Sequence, residues 1–324
     1  MMSEFGIRYC RASLICIVFL FGNNVHACLW TYGTDVHGTP RILSDSMSRL
    51  FSADASQSRD DWLKQMLLIE TKLPKGDYRD RNDFAVALIH LGRVDEAIEI
   101  FKQIEAEQPG LYQSAANLGT AFELRGDLQS ALDWIKLGIV RNPQAHDGTE
   151  WLHVMILEAK ISLASDPHWL KTHSVLGLDF NRDIKPTLQV DKIVDSENRS
   201  YSLLLIRRAL DFQLAERVPL TPSPNAVVGS LLEDLGNVLA LEDSLEKAIP
   251  AYQLALQYGP RDEQLVRQRL EHFQTQVRRN ILSGQSPFVV LFFGILVGVI
   301  GFIVGLRFIV RWLRRRSAAL SPDK

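Results

Sequence analysis

The sequence predicts an all-α fold: a solenoid of helical hairpins with one irregular insertion, followed by a single C-terminal transmembrane helix. The first observation behind this prediction is an internal period. Three residue types recur thirty-four positions apart: Gly92 and Gly126, Ala97 and Ala131, and Pro109 and Pro143. The second observation is an apolar run of twenty residues without a charge, 287–306. Such a period indicates stacked supersecondary units, and the run is long enough to cross a hydrocarbon core of ~30 Å.

Each repeated unit has the same order of features. A helix with periodic apolar residues ends at the glycine, a second helix carries the alanine, and the proline closes the unit. The small alanine lets the two helices cross closely, and the proline stops the second helix. A third copy follows later in the chain, with Gly236, Ala248 and Pro260 at the corresponding positions.

This pattern resembles the tetratricopeptide repeat (TPR), and the resemblance implies a TPR-type helical-hairpin solenoid. It places two repeats in 77–143, a divergent repeat with a long loop insertion in 144–224, and a further repeat with a capping helix in 225–282. The insertion itself, 164–198, has no helical period. Ahead of the repeats, 28–76 is expected to be partly helical and partly irregular.

The N-terminal segment 1–27 has the features of a secretory signal peptide. Arg8 and Arg11 precede a short apolar run, and Ala27 ends a small-x-small cleavage site. The sequence leaves open whether this segment is cleaved or stays as an anchor. It also leaves open whether Cys28, which would follow the cleavage site, carries a lipid. In either case the segment directs the following chain across a membrane.

The apolar run 287–306 is predicted to be a single transmembrane helix, and its flanks set the orientation. The tail 307–324 begins with a cluster of arginines, whereas only Arg278 and Arg279 lie close before the run. Positive charge stays on the cytoplasmic side, so the tail is expected inside and the repeats outside the cytoplasm. The expected location is therefore a single-pass membrane protein with periplasmic or equivalent extracytoplasmic repeats.

The exported part of the chain is acidic. Residues 28–286 carry 28 Lys and Arg against 36 Asp and Glu, which is a net charge of −8. Proteins that bind nucleic acids typically carry a net positive charge on the binding domain, so no nucleic-acid partner is expected. Cys28 is the one cysteine in this part, so no disulfide can form within it. Protein-binding modules and enzymes remain as functional classes.

The resemblance to TPR proteins also implies a binding groove. In that family the concave surface is lined by first-helix positions and contacts a partner protein. The positions of this chain that would line a peptide- or protein-binding groove are Arg79, Asn82, Val86, Gln113, Ala116, Thr120, Glu123, Ser230, Glu233 and Asn237. Most of these groove positions carry polar or charged side chains. It lacks the several Lys and Arg with which some TPR domains clamp a carboxylate, so a receptor for chaperone tails is not expected.

A histidine-rich region supports an alternative, a metal-dependent factor or enzyme that uses the region from His146 to His173. On a continuous helix His146, Glu150 and His153 would share one face, and two histidines with a carboxylate can bind Zn²⁺ or Fe²⁺. The helix is expected to start after Gly148, however, which would leave His146 in the turn. The sequence also lacks a nucleophile elbow, a zinc-protease motif and a phosphate-binding loop. The prediction is therefore a protein that is not an enzyme and has no cofactor.

Four glycines recur along the predicted membrane helix, at Gly294, Gly298, Gly301 and Gly305. At about 100° per residue they fall on one stripe of a helix. Small residues on one stripe let transmembrane helices approach closely and associate. A homodimer or a complex with another membrane protein is therefore predicted.

The predicted function combines these features. We expect a membrane-anchored TPR scaffold that mediates protein–protein interaction on the extracytoplasmic side, in the assembly of envelope complexes. The CLW segment after the signal peptide, together with NPQAHDGTEW and HSVLGLDF, resembles a group of bacterial exported, membrane-anchored TPR proteins. That resemblance implies no enzymatic activity and does not identify the partner protein.

Overall fold

The computed structural model describes residues 32–42, 49–51, 58–188, 192–194, 198–282, 297–303, 305–307 and 309–311. The predicted signal peptide, Cys28, Gly294, the first half of the predicted membrane span and most of the basic tail lie outside the described residues.

Helices dominate the described residues, as the sequence predicts. In chain order they are α1 (Arg59–Glu70), α2 (Tyr78–His90), α3 (Val94–Glu107), α4 (Tyr112–Arg125), α5 (Leu128–Arg141), α6 (Glu150–Ser165), α7 (Leu203–Arg217), α8 (Ala226–Glu242), α9 (Leu245–Tyr258) and α10 (Glu263–Leu282). A short turn, Ala145–Gly148, precedes α6, and 3₁₀ turns lie at Arg49–Phe51, Trp169–Lys171 and Val218–Leu220.

Side-chain caps set the starts of several helices. Ser58 and Asp61 form a reciprocal capping box at α1, and Asp77 and Asp80 form another at α2. The side chain of Asp127 caps α5. These caps satisfy backbone N–H groups that have no partner within the first turn of a helix.

Three pairs of helices form hairpins: α2 with α3, α4 with α5, and α8 with α9. Gly92 and Gly126 make the turns of the first two, with φ of 80° and 90°, a left-handed conformation that glycine adopts without steric cost. Ala97 and Ala131 are fully buried in the core beside these turns. The final helix α10 packs against α9.

The buried apolar side chains form two clusters, one in the first two hairpins and one around the third. Phe101 and Leu118 are fully buried in the first cluster, and Tyr252 in the second. Helix α6 belongs to both, because its Leu157 packs into the first cluster and its Ile156 into the second. Burial of one such side chain contributes about 1.5–3 kcal/mol to the stability of the fold. Because α6 buries a side chain in each cluster, it links the two clusters.

The all-α prediction misses two short antiparallel pairs of strands. β1 (Tyr32–Thr34) pairs with β2 (Pro40–Ile42), and β3 (Lys192–Val194) pairs with β4 (Ser200–Ser202). Each strand has only three residues. A run that short is below the length at which an alternating pattern identifies a strand in a sequence.

The predicted insertion packs into the protein. Val175, Leu176, Leu178 and Phe180 are at most 6% exposed and belong to the cluster around the third hairpin. The described part of the insertion contains one 3₁₀ turn and the strand β3, with no α-helix after the end of α6. The apolar residues of the insertion therefore form part of the hydrophobic core. A long polar loop could not contribute to the core in this way.

The predicted membrane helix is only partly described. Residues 297–303, 305–307 and 309–311 are helical and exposed. Across the described residues, no helix combines the length and the apolar character that crossing a bilayer requires. At Gly298, Gly301 and Gly305 a Cβ would meet no heavy atom within 4 Å beyond the neighbouring residues and backbone of the same helix. The glycine stripe as an association surface stays a prediction.

Candidate docking site on the helical hairpins

The expected groove positions of the first two hairpins lie along α2 and α4. Arg79 and Gln113 are exposed, whereas Asn82 and Thr120 are half-buried. The Oδ1 atom of Asn82 accepts a 2.8 Å hydrogen bond from Nδ2 of Asn117. This bond joins the first helices of the two hairpins, so their faces form one polar surface.

This surface borders a cavity of about 130 Å³ between α2, α4, α6 and α7. Val86, Asn117 and Thr120 line the cavity on the α2 and α4 side. The other lining residues are Ile89, His90, Glu123, Leu124, His146, Glu150, His153, Phe212, Gln213, Glu216, Arg217, Leu220 and Thr221. The expected groove positions Val86, Thr120 and Glu123 therefore line the same cavity as the three residues proposed as metal ligands. These three are His146, Glu150 and His153.

Glu123 is a buried, anchored carboxylate, which corrects the expectation that it faces a partner in an open groove. Its Oε2 lies 2.6 Å from Nε2 of His153, and its Oε1 accepts a 2.6 Å hydrogen bond from Nζ of Lys160. Nη2 of Arg217 donates to Oε2 at 3.3 Å. Burial raises the pKa of Glu123, but these three neighbours outweigh burial and hold the pKa well below its ordinary value. The expected groove position Ala116 is also buried.

Glu150 is a second buried carboxylate in the cavity wall. Its Oε1 is hydrogen-bonded to Nδ1 of His146, and its Oε2 lies 3.3 Å from Nδ1 of His153. Burial raises the pKa of Glu150, but the hydrogen bonds from both histidines exceed that effect and lower the pKa. The hydrogen bond that His146 makes to Glu150 in turn raises the pKa of His146. The ring of His153 thus lies between the carboxylates of Glu123 and Glu150.

An unusual turn positions His146. His146, Asp147 and Gly148 all have positive φ, at 50°, 57° and 69°. For a residue with a Cβ this conformation costs of order 1–3 kcal/mol, and it persists where surrounding contacts fix it. Here the contacts are the bond to Glu150 and the stacking of His146 on Phe212, with ring centroids 5.4 Å apart. His146 lies in the turn before α6, as the sequence predicts.

The histidine region does not assemble into one site. His146 and His153 line the first cavity, whereas His173 lines a different one and His168 is exposed. In the part of the chain that the structure describes, no group of three or more His, Cys, Asp or Glu is placed to hold a metal ion. The ring nitrogens of His153 face carboxylates instead.

The expected groove positions of the third hairpin are interior residues, which corrects the expectation that they face a partner. Ser230 is fully buried, and Glu233 and Asn237 are 5% and 1% exposed. Glu233 and Asn237 line a cavity of about 490 Å³ whose wall also includes residues from 170–182 of the insertion. Oδ1 of Asn237 accepts a 2.5 Å hydrogen bond from Nη1 of Arg269. The insertion therefore occupies this face of the repeat.

Arg269 on α10 holds the insertion against the third hairpin. The side chain is 1% exposed. Its Nε and Nη2 donate to the carbonyl oxygen of Asp183 at 3.0 and 2.9 Å, and Nη2 also donates to the carbonyl oxygens of Phe180 and Asn181 at 3.2 and 2.9 Å. One guanidinium group therefore satisfies three backbone carbonyls of a segment without regular structure.

Two acidic residues beside this contact face Arg261. Nη2 of Arg261 donates to Oδ1 of Asp234 at 2.6 Å, and its backbone N–H donates to Oε2 of Glu233 at 2.9 Å. Burial raises the pKa of Asp234 to about 7, despite the opposing charge of Arg261. Burial raises the pKa of Glu233 as well. Asp234 therefore changes charge close to neutral pH inside the protein.

The sequence interpretation missed three basic residues that organise these contacts: Lys160, Arg217 and Arg269. Two of them carried a signal. Arg269 lies on the same stripe of α10 as the buried Val266 and Phe273, and Arg217 lies on the same stripe of α7 as the buried Leu210 and Leu214. A charged residue at an apolar position of an amphipathic helix indicates a buried partner. The signal does not identify that partner, which in both cases comes from a separate segment of the chain.

No protein-family model and no curated protein matches this chain. Several solved structures are similar to it, and two of them are TPR proteins. A thermophilic TPR protein of Thermus thermophilus is 17% identical with a TM-score of 0.34, and the match covers 67% of this chain and 92% of that chain. The TPR domain of P58(IPK) is 16% identical with a TM-score of 0.26, and the match covers 68% of this chain and 62% of that chain. The hairpin architecture described above rests on the packing of the helices themselves.

Proposed function

We propose that this chain is a docking protein whose first two hairpins bind a segment of another protein along α2 and α4. One observation carries the proposal: the exposed groove positions Arg79 and Gln113 share a surface with the cavity lined by Val86 and Thr120. The exposed positions supply contact area, and the cavity supplies a place to bury one anchoring side chain. Buried anchors of this kind contribute most of the binding free energy in protein interfaces.

The charged groups around the cavity support this proposal because they are already held in place. Glu123 has three basic partners within 3.3 Å, and Glu150 has two histidine partners. A segment that binds here does not have to order these side chains. Preorganisation lowers the entropic cost of binding.

We assign docking to the first two hairpins, because residues of the insertion cover the groove positions of the third. Displacing it would expose Val175, Leu176, Leu178 and Phe180, at about 1.5–3 kcal/mol each or roughly 6–12 kcal/mol together. The hydrogen bonds of Arg269 add to that cost. A partner with a Kd of about 1 μM supplies only ~8 kcal/mol in total. Displacing the insertion would therefore consume most or all of that binding free energy, so we expect the insertion to stay in place when a partner binds.

We also propose that the scaffold is tethered to a membrane, with the repeats outside the cytoplasm and a role in assembling envelope complexes. The uncharged run 287–306 and the arginines after it support a single membrane-spanning helix with a cytoplasmic tail. The exposure of Val297 and Phe302, at 67% and 71%, is consistent with lipid around that helix. The net charge of −8 in 28–286 would attract a partner of positive charge.

Site-specific photo-crosslinking in cells tests the docking surface. A benzophenone side chain at Gln113, exposed on α4, should yield a discrete crosslinked protein. The same side chain at Val140, which is 79% exposed on α5 and does not line the cavity, is the matched control and should not. Equal crosslinking from both positions, or no product from Gln113, would refute the assignment of this surface.

Protease accessibility tests the topology separately. Protease added to intact spheroplasts should digest the repeats and spare an epitope attached after Lys324. Repeats that stay protected until the membrane is lysed would place them on the cytoplasmic side and overturn the orientation.

A further inference from the structure

A cavity of about 710 Å³ lies on α10 and extends towards the end of that helix that precedes the predicted membrane run 287–306. The lining residues of α10 recur at spacings of three and four, so they belong to one stripe of the helix. They are Gln268, Glu271, His272, Thr275, Gln276, Arg279 and Asn280. The other lining residues are His37 and Gly38, in the turn between β1 and β2, and Ile184 and Lys185 of the insertion. Three separate segments of the chain therefore enclose this cavity.

Both loops at this cavity are fixed to α10. Nδ2 of Asn280 donates to the carbonyl oxygen of Gly38 at 3.2 Å. Gly38 has a φ of 89°, and a Cβ in its place would lie 2.6 Å from Nε2 of Gln276, so the turn approaches α10 more closely than a larger residue would allow. On the other loop, Arg269 donates to the carbonyl oxygen of Asp183, which directly precedes the lining residues of the insertion. A ligand would therefore not have to order the loops that surround it.

The lining of the cavity has an excess of positive charge. Lys185 and Arg279 are exposed cations, and neither forms an ion pair among the described residues. Burial lowers the pKa of His272, and the charges of Lys185 and Arg279 lower it further, so both cations lie close to the same ring. Glu271 is the one carboxylate among the described residues that line the cavity. With its histidines neutral, the lining therefore has two cations against one carboxylate, a net charge of +1.

A phosphodiester with an apolar group attached fits these features. Its single negative charge offsets the net charge of the lining, and its oxygens accept charge-assisted hydrogen bonds from lysine and arginine. Glu271 disfavours a ligand with several negative charges, because it would repel them. Ile184, beside Lys185, is 44% exposed and would contact the apolar part of the ligand. The headgroup of a phospholipid combines these two chemistries, whereas free phosphate supplies only one of them.

The position of the cavity in the chain places it near the proposed membrane anchor. Arg279 lies one turn before Leu282, where α10 ends. The five residues that follow Leu282 reach Pro287, the start of the predicted membrane run, and span at most about 18 Å. The net charge of −8 in 28–286 opposes the approach of the domain to an anionic surface. A local cationic site would therefore determine which face of the domain meets the membrane.

We propose that the cavity on α10 binds the headgroup phosphate of an anionic phospholipid, with Lys185 and Arg279 donating to the phosphate oxygens. This inference rests on the proposed membrane tether. It adds a second contact with the membrane, through which the bilayer would fix the orientation of the repeats.

Native mass spectrometry of the full-length chain in a neutral detergent tests the inference, because it counts bound lipids. Phosphatidylglycerol should bind more tightly than phosphatidylcholine, whose headgroup has no net charge. Lys185→Gln and Arg279→Gln should each lower the affinity for phosphatidylglycerol about fivefold or more, since each removes a cation that contacts the anionic headgroup. The matched control is Arg278→Gln, because Arg278 is exposed beside Arg279 and does not line the cavity. It should change the affinity by less than about twofold.

Three results would overturn the lipid site. The first is equal affinity for the two lipids. The second is an equal loss from Arg278→Gln and Arg279→Gln, which would indicate general attraction between a basic segment and anionic lipid. The third is displacement of phosphatidylglycerol by inorganic phosphate at equal concentration, which would assign the cavity to a free anion.

Extraction of membranes with alkaline carbonate tests the tether separately. A wild-type chain that is washed out of the membrane would overturn the tether and this inference with it. Retention of the wild type and all variants, with lipid binding unaffected by Lys185→Gln and Arg279→Gln, would overturn this inference alone.

Discussion

Replacing Arg269 with alanine should release the insertion from the third hairpin. The buried guanidinium donates to the carbonyl oxygens of Asp183 and Asn181 at 2.9 Å and to Oδ1 of Asn237 at 2.5 Å. Each buried acceptor left unpaired costs about 1–3 kcal/mol, and part of that cost is recovered when water enters. We therefore expect Arg269→Ala to lower the free energy of unfolding by about 3–5 kcal/mol, a large fraction of the ~5–15 kcal/mol that is typical of folded proteins.

The matched control is Arg267→Ala on the same helix. Arg267 is exposed and, in the part of the chain that the structure describes, pairs with Glu263 one turn away, so its loss should cost about 0.5 kcal/mol or less. Urea denaturation of both variants measures the unfolding free energies, and hydrogen exchange reports the backbone amides of 172–183. Equal destabilisation by the two substitutions, or unchanged exchange in 172–183 for Arg269→Ala, would show that Arg269 does not hold the insertion.

Three further substitutions test other parts of the structure. Ala97→Leu should destabilise the fold by ~1–3 kcal/mol, because Ala97 is fully buried at a helix crossing. Ala106→Leu, on the same helix at an exposed position, is the control and should have little effect. Equal melting temperatures for the two variants in thermal melts would contradict the helix pairing. Burial raises the pKa of Asp234 from 3.8 to about 7, so the cost of ionising it in the folded state is absent at low pH and grows as pH rises towards 7. Urea titrations should therefore show the stability of Asp234→Asn increasing relative to the wild type between about pH 4 and pH 7, and a difference that stays constant over this range would refute this. Replacing Gly298 and Gly301 together with Ile should weaken association of the membrane segment in a transmembrane reporter assay, and an unchanged signal would remove the oligomer prediction.

The helical hairpins could be predicted from the sequence because their determinants are local and periodic. Gly92 and Gly126 mark turns that need a left-handed residue, and Ala97 and Ala131 mark close helix crossings. The strands could not be predicted in the same way. With three residues each, they are too short for an alternating pattern to be recognised in the sequence, and their pairing joins residues up to ten positions apart.

The candidate site was predicted only in part. Val86 and Thr120 line the cavity as expected groove residues, because their position within a repeat fixes the face of the helix on which they lie. The burial of Glu123 and Glu233 depends on Arg217 and on the insertion, which are distant in sequence. A repeat pattern describes neighbours within the solenoid, so it does not reveal a long insertion that folds back over one of its units.

The cover of the insertion over the third hairpin would set the valency of the proposed receptor. Residues of the insertion lie over the groove positions of this hairpin, so the proposed function leaves one docking surface, on the first two hairpins. Under that proposal a single copy would act as a monovalent receptor, which concentrates one partner but does not cross-link two. Bivalent capture requires two copies side by side, and membrane tethering would raise their effective concentration and convert modest affinity into avidity.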